Sequence, residues 1–117
     1  MAINSYKDLI VWQKSIQLVY IIYSITSNFP QTEIYGLTSQ MRRSAVSIPS
    51  NIAEGRQRST KKDFAQFLRI AQGSVAELET QLVISKKLFP KYTYSEAESL
   101  LTEVQKMLAS MIQKLVT

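Results

Sequence analysis

Apolar residues recur at spacings of three and four along almost the whole chain, and little interrupts the pattern. The 117 residues include only three glycines and three prolines. This spacing puts apolar side chains on one side of an α-helix, whereas a half-buried strand requires alternation. The sequence therefore predicts an all-α fold.

Local signals divide the periodic pattern into four helices, which we expect at residues 9–28, 32–55, 60–89 and 95–117. Thr60 with Asp63, and Ser95 with Glu98, have the spacing of a capping box at a helix start. Gly55 suits a left-handed cap at a helix end. Because the connections are short, neighbouring helices should be antiparallel. We therefore expect one domain, residues 1–117, folded as an antiparallel up-down-up-down four-helix bundle.

Pro49 lies well inside the second predicted helix. A proline there removes one amide donor and presses against the carbonyl group of Ala45. We therefore expect the second helix to be kinked at Pro49, with packing as a simpler explanation than a functional hinge.

The first predicted helix carries two apolar stripes. We assign one stripe to the core of the bundle: Leu9, Trp12, Ile16, Val19, Tyr20 and Tyr23. The other is Val11, Leu18, Ile22, Ile25 and Phe29. A helix that is apolar on two faces is normally buried on both, and a monomeric bundle buries one. We therefore predict that the second stripe is the interface of a homo-oligomer; the alternative is a loop or terminus that covers it.

Positive charge is concentrated in the middle of the chain. The protein has 14 Lys and Arg against nine Asp and Glu, a net charge of +5. Residues 42–69 contain seven cations and two anions, so they account for the whole excess. The cations are Arg42, Arg43, Arg56, Arg58, Lys61, Lys62 and Arg69. Such a segment indicates a polyanion partner, because Arg and Lys complement phosphate oxygens; the alternative is an ordinary solvated face.

Catalysis and metal binding have little support in the composition. The chain has no Cys and no His, which removes thiolates, the usual general base and the commonest metal ligand. No glycine-rich phosphate loop or nucleophile elbow is present. We therefore predict no catalytic residues, no metal and no cofactor. The first residues lack the pattern of a signal peptide, and no apolar run approaches a membrane span, so we expect a cytoplasmic protein without a membrane partner.

Three sequence motifs resemble those of the bacterial 23S ribosomal RNA intervening-sequence proteins. They are DLIVWQKS at residues 8–15, FPQTEIYGLTSQMRRSAVSIPSNIAEGRQRSTKKDF at 29–64, and FLRIAQGSVAELETQL at 67–82. The resemblance implies a small basic four-helix bundle that assembles into a homopentamer. It also extends to accessory proteins of diversity-generating retroelements, which implies contact with nucleic acid and with a reverse transcriptase. It implies no catalytic residues.

Two functions remain open from the sequence. The first is an oligomeric bundle that binds ribosomal or other structured RNA through the seven central cations. The second is a protein–protein scaffold whose basic surface docks an acidic partner, such as a reverse transcriptase.

Overall fold

The computed structural model describes residues 5–117, which are mainly helical and contain no strand. A short 3₁₀ turn, Tyr6–Asp8, precedes α1, Ile10–Thr26. A second 3₁₀ turn, Gln31–Glu33, precedes α2, Leu37–Arg56. The chain continues through α3, Lys61–Leu88, and α4, Ser95–Val116. The predicted all-α fold with four helices is confirmed.

Contacts between α2 and α3 run in opposite chain directions. Met41 and Ser47 of α2 contact Ser85 and Ser74 of α3, respectively, so higher numbers on one helix meet lower numbers on the other. Each helix packs on its neighbour in the chain, and α1 also packs on α4. Since each helix lies beside two others around a shared core, the arrangement is a four-helix bundle.

The core of the bundle includes the stripe of α1 that the sequence assigned to an oligomer interface. Val11, Leu18, Ile22, Ile25 and Phe29 are all buried, and none is more than 9% exposed. These side chains pack against residues of the other three helices. The predicted interface is therefore wrong, because the bundle itself covers this stripe.

The other stripe of α1, which the sequence assigned to the core, lies at the edge of the core, with Leu9, Trp12 and Val19 packed against it and the two tyrosines exposed. Tyr20 is 71% exposed, Tyr23 is also exposed, and Trp12 is half-buried with its ring edge-on to Tyr6. The physical reason is that this stripe contains polar atoms. Tyrosine hydroxyl and tryptophan N–H groups need hydrogen-bond partners when buried, whereas branched aliphatic side chains do not.

The predicted starts of α3 and of α4 at Ser95 are confirmed, but only one of the three predicted cap signals forms the expected cap. The Thr60 hydroxyl accepts a hydrogen bond from the amide of Asp63 (3.1 Å), so the predicted start of α3 is confirmed. Gly55 is not a left-handed cap, because it lies inside α2 and no described glycine has a positive φ. Ser95 does not cap α4: the helix is preceded by Tyr94, and the Glu98 carboxylate instead binds Lys86 (2.9 Å).

Gly55 is needed for close packing between α2 and α3. A Cβ atom at this position would lie 2.7 Å from the Cβ of Phe67 and 3.0 Å from the Cδ1 of Phe64. Both distances are shorter than carbon–carbon contact allows, since optimal separations are about 3.5–4.0 Å. The absence of a side chain at residue 55 therefore brings the end of α2 against the start of α3.

The α2 helix continues through Pro49 to Arg56. Two residues beyond the proline, the Asn51 side-chain amide donates to the carbonyl oxygen of Ser47 (2.8 Å) and to its hydroxyl (3.0 Å). This side chain therefore supplies extra hydrogen bonds beside the proline. The kink at Pro49 stays a prediction.

Aromatic side chains hold together the two loops at one end of the bundle. Phe29 packs against Phe89 and Tyr92, with ring centroids 4.8 and 5.8 Å away. The Tyr92 hydroxyl donates to the carbonyl oxygen of Asn28 (2.5 Å). Tyr94 donates to the carbonyl oxygen of Phe89 (3.0 Å), and burial raises the pKa of its hydroxyl, with a smaller contribution from Tyr92. The loop between α1 and α2 is therefore joined to the loop between α3 and α4.

None of the helices formed by residues 5–117 combines the length and the apolar content that a membrane crossing needs.

Candidate nucleic-acid interface

Four of the seven predicted cations lie together where α2 meets α3. We call Arg56, Arg58, Lys61 and Lys62 the turn cluster. Arg56 is the last residue of α2, and Lys61 and Lys62 open α3, so the four span seven residues of chain. Arg56 is half-buried and the other three are exposed. The close approach of the helices at Gly55 and the Thr60 cap fix the two backbones that carry them.

Arg58 is the most constrained exposed member of the turn cluster. Its guanidinium carbon lies 4.7 Å from the centre of the Phe67 ring, and Nη2 lies 3.5 Å from Glu54 Oε1. The ring holds the guanidinium group in place by a cation–π contact. The ion pair with Glu54 is exposed, and such pairs contribute about 0–1 kcal/mol. A phosphate group can therefore replace Glu54 at little cost while Phe67 keeps the arginine oriented.

Arg69 extends the turn cluster along α3. It is exposed and lies seven residues after Lys62, which is close to two helical turns and puts both cations on one face. The separation along the helix axis is about 10 Å at 1.5 Å per residue. The turn cluster and Arg69 therefore form one basic surface.

Arg42 and Arg43 lie elsewhere. They precede Arg56 in the same helix by 14 and 13 residues, which corresponds to about 20 Å along the axis. The seven cations predicted as one site therefore form two groups: five around the α2–α3 turn, and two near the start of α2.

Arg42 is held by side chains of α1. Its Nε donates to the Thr26 hydroxyl (2.9 Å), and its guanidinium carbon lies 4.5 Å from the centre of the Tyr23 ring. Thr26 is itself buried and donates to the carbonyl oxygen of Ile22 (2.7 Å). Arg43, the next residue, is exposed. The first arginine is therefore oriented by α1, whereas the second lies exposed beside it.

A surface groove borders the two arginines and was not anticipated from the sequence. It has a volume of about 610 Å³, and its lining includes Tyr23, Ile34 and Val46 as well as Arg42 and Arg43. The sequence placed Tyr23 in the core because its spacing fitted an apolar stripe. The sequence signal for its surface position is the tyrosine hydroxyl, which favours a half-exposed site.

Among residues 5–117, no group of three or more His, Cys, Asp or Glu residues is placed to hold a metal ion.

The fold and its surface define a small helical bundle with two basic surface regions. The chain belongs to the 23S rRNA-intervening sequence protein family, whose model matches residues 7–110. The chain is also similar to a crystal structure of a protein with unknown function from the S23 ribosomal protein family, from Bacteroides thetaiotaomicron. The two are 29% identical, with a TM-score of 0.74, over 88% of this chain and 98% of the other. No curated protein matches the chain.

Proposed function

We propose that this protein is a non-catalytic cytoplasmic RNA-binding bundle, which holds structured RNA by its phosphates at the turn cluster and Arg69. The observation that carries the proposal is the grouping of five cations on one surface of a chain whose remaining residues are close to neutral. The family description, which refers to the 23S ribosomal RNA, supports an RNA partner. The proposal includes no metal, no cofactor and no membrane partner.

The chemistry of the turn cluster suits phosphate rather than individual bases. Arginine forks and lysine ammonium groups bind phosphate oxygens, and the first turn of α3 adds the positive end of a helix dipole. Contacts to phosphate position a protein without reading the sequence, and the deep, narrow major groove of duplex RNA keeps side chains such as Arg58 and Lys62 from the base edges. We therefore expect binding with little sequence preference, and a loss of affinity as salt is added.

We also propose that the protein assembles with copies of itself, as a closed ring of five by the family resemblance. Its contact surface is the outer face of α1, which we define as Trp12, Ile16, Val19 and Tyr20. Tyr20 is largely exposed and the other three are half-buried, so the face is apolar and incompletely covered. A ring would repeat the basic surface in each subunit and raise the affinity for a long RNA.

Light scattering tests the assembly. The unmodified protein should exceed the mass of one chain, and Tyr20→Glu should return it to a monomer of unchanged helical content. A wild-type monomer at micromolar concentration would contradict the assembly and leave the RNA proposal standing.

Filter binding tests the RNA function. A folded ribosomal RNA fragment should be retained by the wild-type protein at physiological salt and much less by the double variant Arg58→Ala, Lys62→Ala. The alternative is a scaffold that docks an acidic protein such as a reverse transcriptase through the same surface. It predicts no RNA retention, and capture of the acidic protein that the double variant loses.

A further inference from the structure

The groove between the end of α1 and the start of α2 combines an oriented arginine with an apolar floor. Arg42 is fixed on two sides, by the hydroxyl of Thr26 and by the ring of Tyr23. Ile34 and Val46 add partly exposed aliphatic surface to the lining. Its volume of about 610 Å³ is within the range of pockets that hold small ligands, roughly 300–1,000 Å³.

The charges of the groove favour an anion. No ion pair joins Arg42 or Arg43 to another of residues 5–117, so both positive charges are uncompensated within the part of the chain described. Glu33, which is close in the chain, accepts a hydrogen bond from the amide of Leu37 (3.1 Å). Because its Nε already donates to Thr26, Arg42 has its terminal amino groups left to bind a second partner.

The apolar part of the groove favours a flat ring beside that anion. The Arg42 guanidinium group lies over one face of the Tyr23 ring, and a base can continue this stack, because unpaired bases are bound by stacking on aromatic or guanidinium planes. A phosphate with a base attached supplies both features, whereas a carboxylate on a flexible side chain supplies only the charge. We propose that this groove binds one unpaired nucleotide, with its phosphate on the N–H groups of Arg42 and Arg43 and its base stacked on the Arg42–Tyr23 pair.

This inference rests on the proposed RNA function and adds a preference to it. The turn cluster lies about 20 Å away and binds phosphates whether or not the bases are paired. The groove accepts only a base that has left the helical stack. The protein should therefore prefer a duplex that carries an unpaired strand over the same duplex with blunt ends.

The experiment compares the affinities of the protein for two RNAs: a blunt hairpin, and the same hairpin with a short single-stranded extension. The wild-type protein should bind the extended RNA about tenfold more tightly, as expected for one stacked base. Arg42→Ala and Tyr23→Ala should each bring the two affinities together and leave binding of the blunt hairpin close to the wild-type value. Tyr23→Phe keeps the ring and should keep the preference.

Two further variants separate the groove from the turn cluster. Thr26→Val removes the hydroxyl that orients Arg42 and should reduce the preference, without any change in net charge. Arg69→Ala is the matched control for a lost arginine, and should weaken binding of both RNAs in parallel. Circular dichroism and light scattering on each variant confirm that the fold and the assembly are intact.

Several outcomes would overturn the inference. A wild-type protein that binds both RNAs equally has no nucleotide site in the groove, although the RNA function stands. A protein that binds neither RNA removes the RNA function itself. Loss of assembly in Arg42→Ala or Tyr23→Ala would show that a second copy of the chain occupies the groove. If Arg69→Ala reduced the preference for the extended hairpin as much as Arg42→Ala does, the effect would be one of overall charge and not of the groove.

Discussion

The two helical glycines Gly55 and Gly73 should respond in opposite ways to the same substitution. Alanine is the better helix former by about 0.8–1.0 kcal/mol in a helix interior. A Cβ atom at Gly73, in the middle of α3, meets nothing within 4 Å. Gly73→Ala should therefore raise the free energy of unfolding by close to that full amount.

At Gly55 the new methyl group has no space. It would lie 2.7 Å from the Cβ of Phe67, an atom that cannot rotate away, and 3.3 Å from the carbonyl oxygen of Phe64. Relief requires α2 and α3 to separate, and overpacking of this kind costs about 1–3 kcal/mol. Gly55 is also the second-last residue of α2, so the gain in helix propensity is smaller there. We expect Gly55→Ala to lower the free energy of unfolding by about 1–2 kcal/mol.

Urea unfolding followed by circular dichroism measures both variants, and the urea dependence of each should match that of the wild type. The variant Gly55→Asn distinguishes the two explanations for this glycine, close packing of the helices and a left-handed cap. Asn is tolerated at such a cap, whereas in a tight helix contact it should be worse than Ala. If Gly55→Ala were as stabilising as Gly73→Ala, the close approach of α2 and α3 at this point would be refuted.

Two further predictions concern stability. Leu18→Glu places a carboxylate in the core, where Leu18 is fully buried, so it should lower the free energy of unfolding by more than about 4 kcal/mol and abolish cooperative unfolding. Tyr20→Glu, on the other stripe, should keep the helical content. A folded, soluble Leu18→Glu protein would contradict the corrected orientation of α1. Burial raises the pKa of Tyr94 above its usual value of about 10, so the folded state favours the neutral hydroxyl. The stability that this hydroxyl contributes is complete below the unfolded-state pKa and is lost as the pH rises through the folded-state pKa. Unfolding measured from neutral to strongly alkaline pH should therefore show a loss of stability that Tyr94→Phe reduces, and an identical pH profile in the variant would remove this tyrosine as the cause.

Local sequence signals predicted the elements well, because they act over a few residues. Spacings of three and four identify the four helices, and Thr60 with Asp63 marks the start of α3. Gly55 has the sequence appearance of a cap, but its role depends on Phe64 and Phe67, which follow in the next helix. Contacts between helices are not encoded in the neighbouring residues, so that role could not be read from the local pattern.

The orientation of α1 and the grouping of the cations depend on the same tertiary information. Both stripes of α1 satisfy the helical spacing, and only packing on the other three helices selects the one that contains Leu18. A net charge of +5 within residues 42–69 indicates a basic segment, but Arg42 and Arg43 lie 14 and 13 residues before Arg56 in one helix, about 20 Å along its axis. The separation of Arg42 and Arg43 from the turn cluster therefore required the fold.

The salt dependence of RNA binding tests the central claim most directly. Each phosphate that a cation neutralises contributes about 0.7–0.9 to the slope of log K against log salt concentration. Removal of Arg58 and Lys62 by alanine substitution should therefore make the slope shallower by about 1.4–1.8, from two lost phosphate contacts. The matched control, Lys106→Ala with Lys114→Ala, removes two exposed cations of α4 and should leave the slope unchanged. An unchanged slope in the first variant, or an equal reduction in the control, would contradict phosphate binding at the α2–α3 turn.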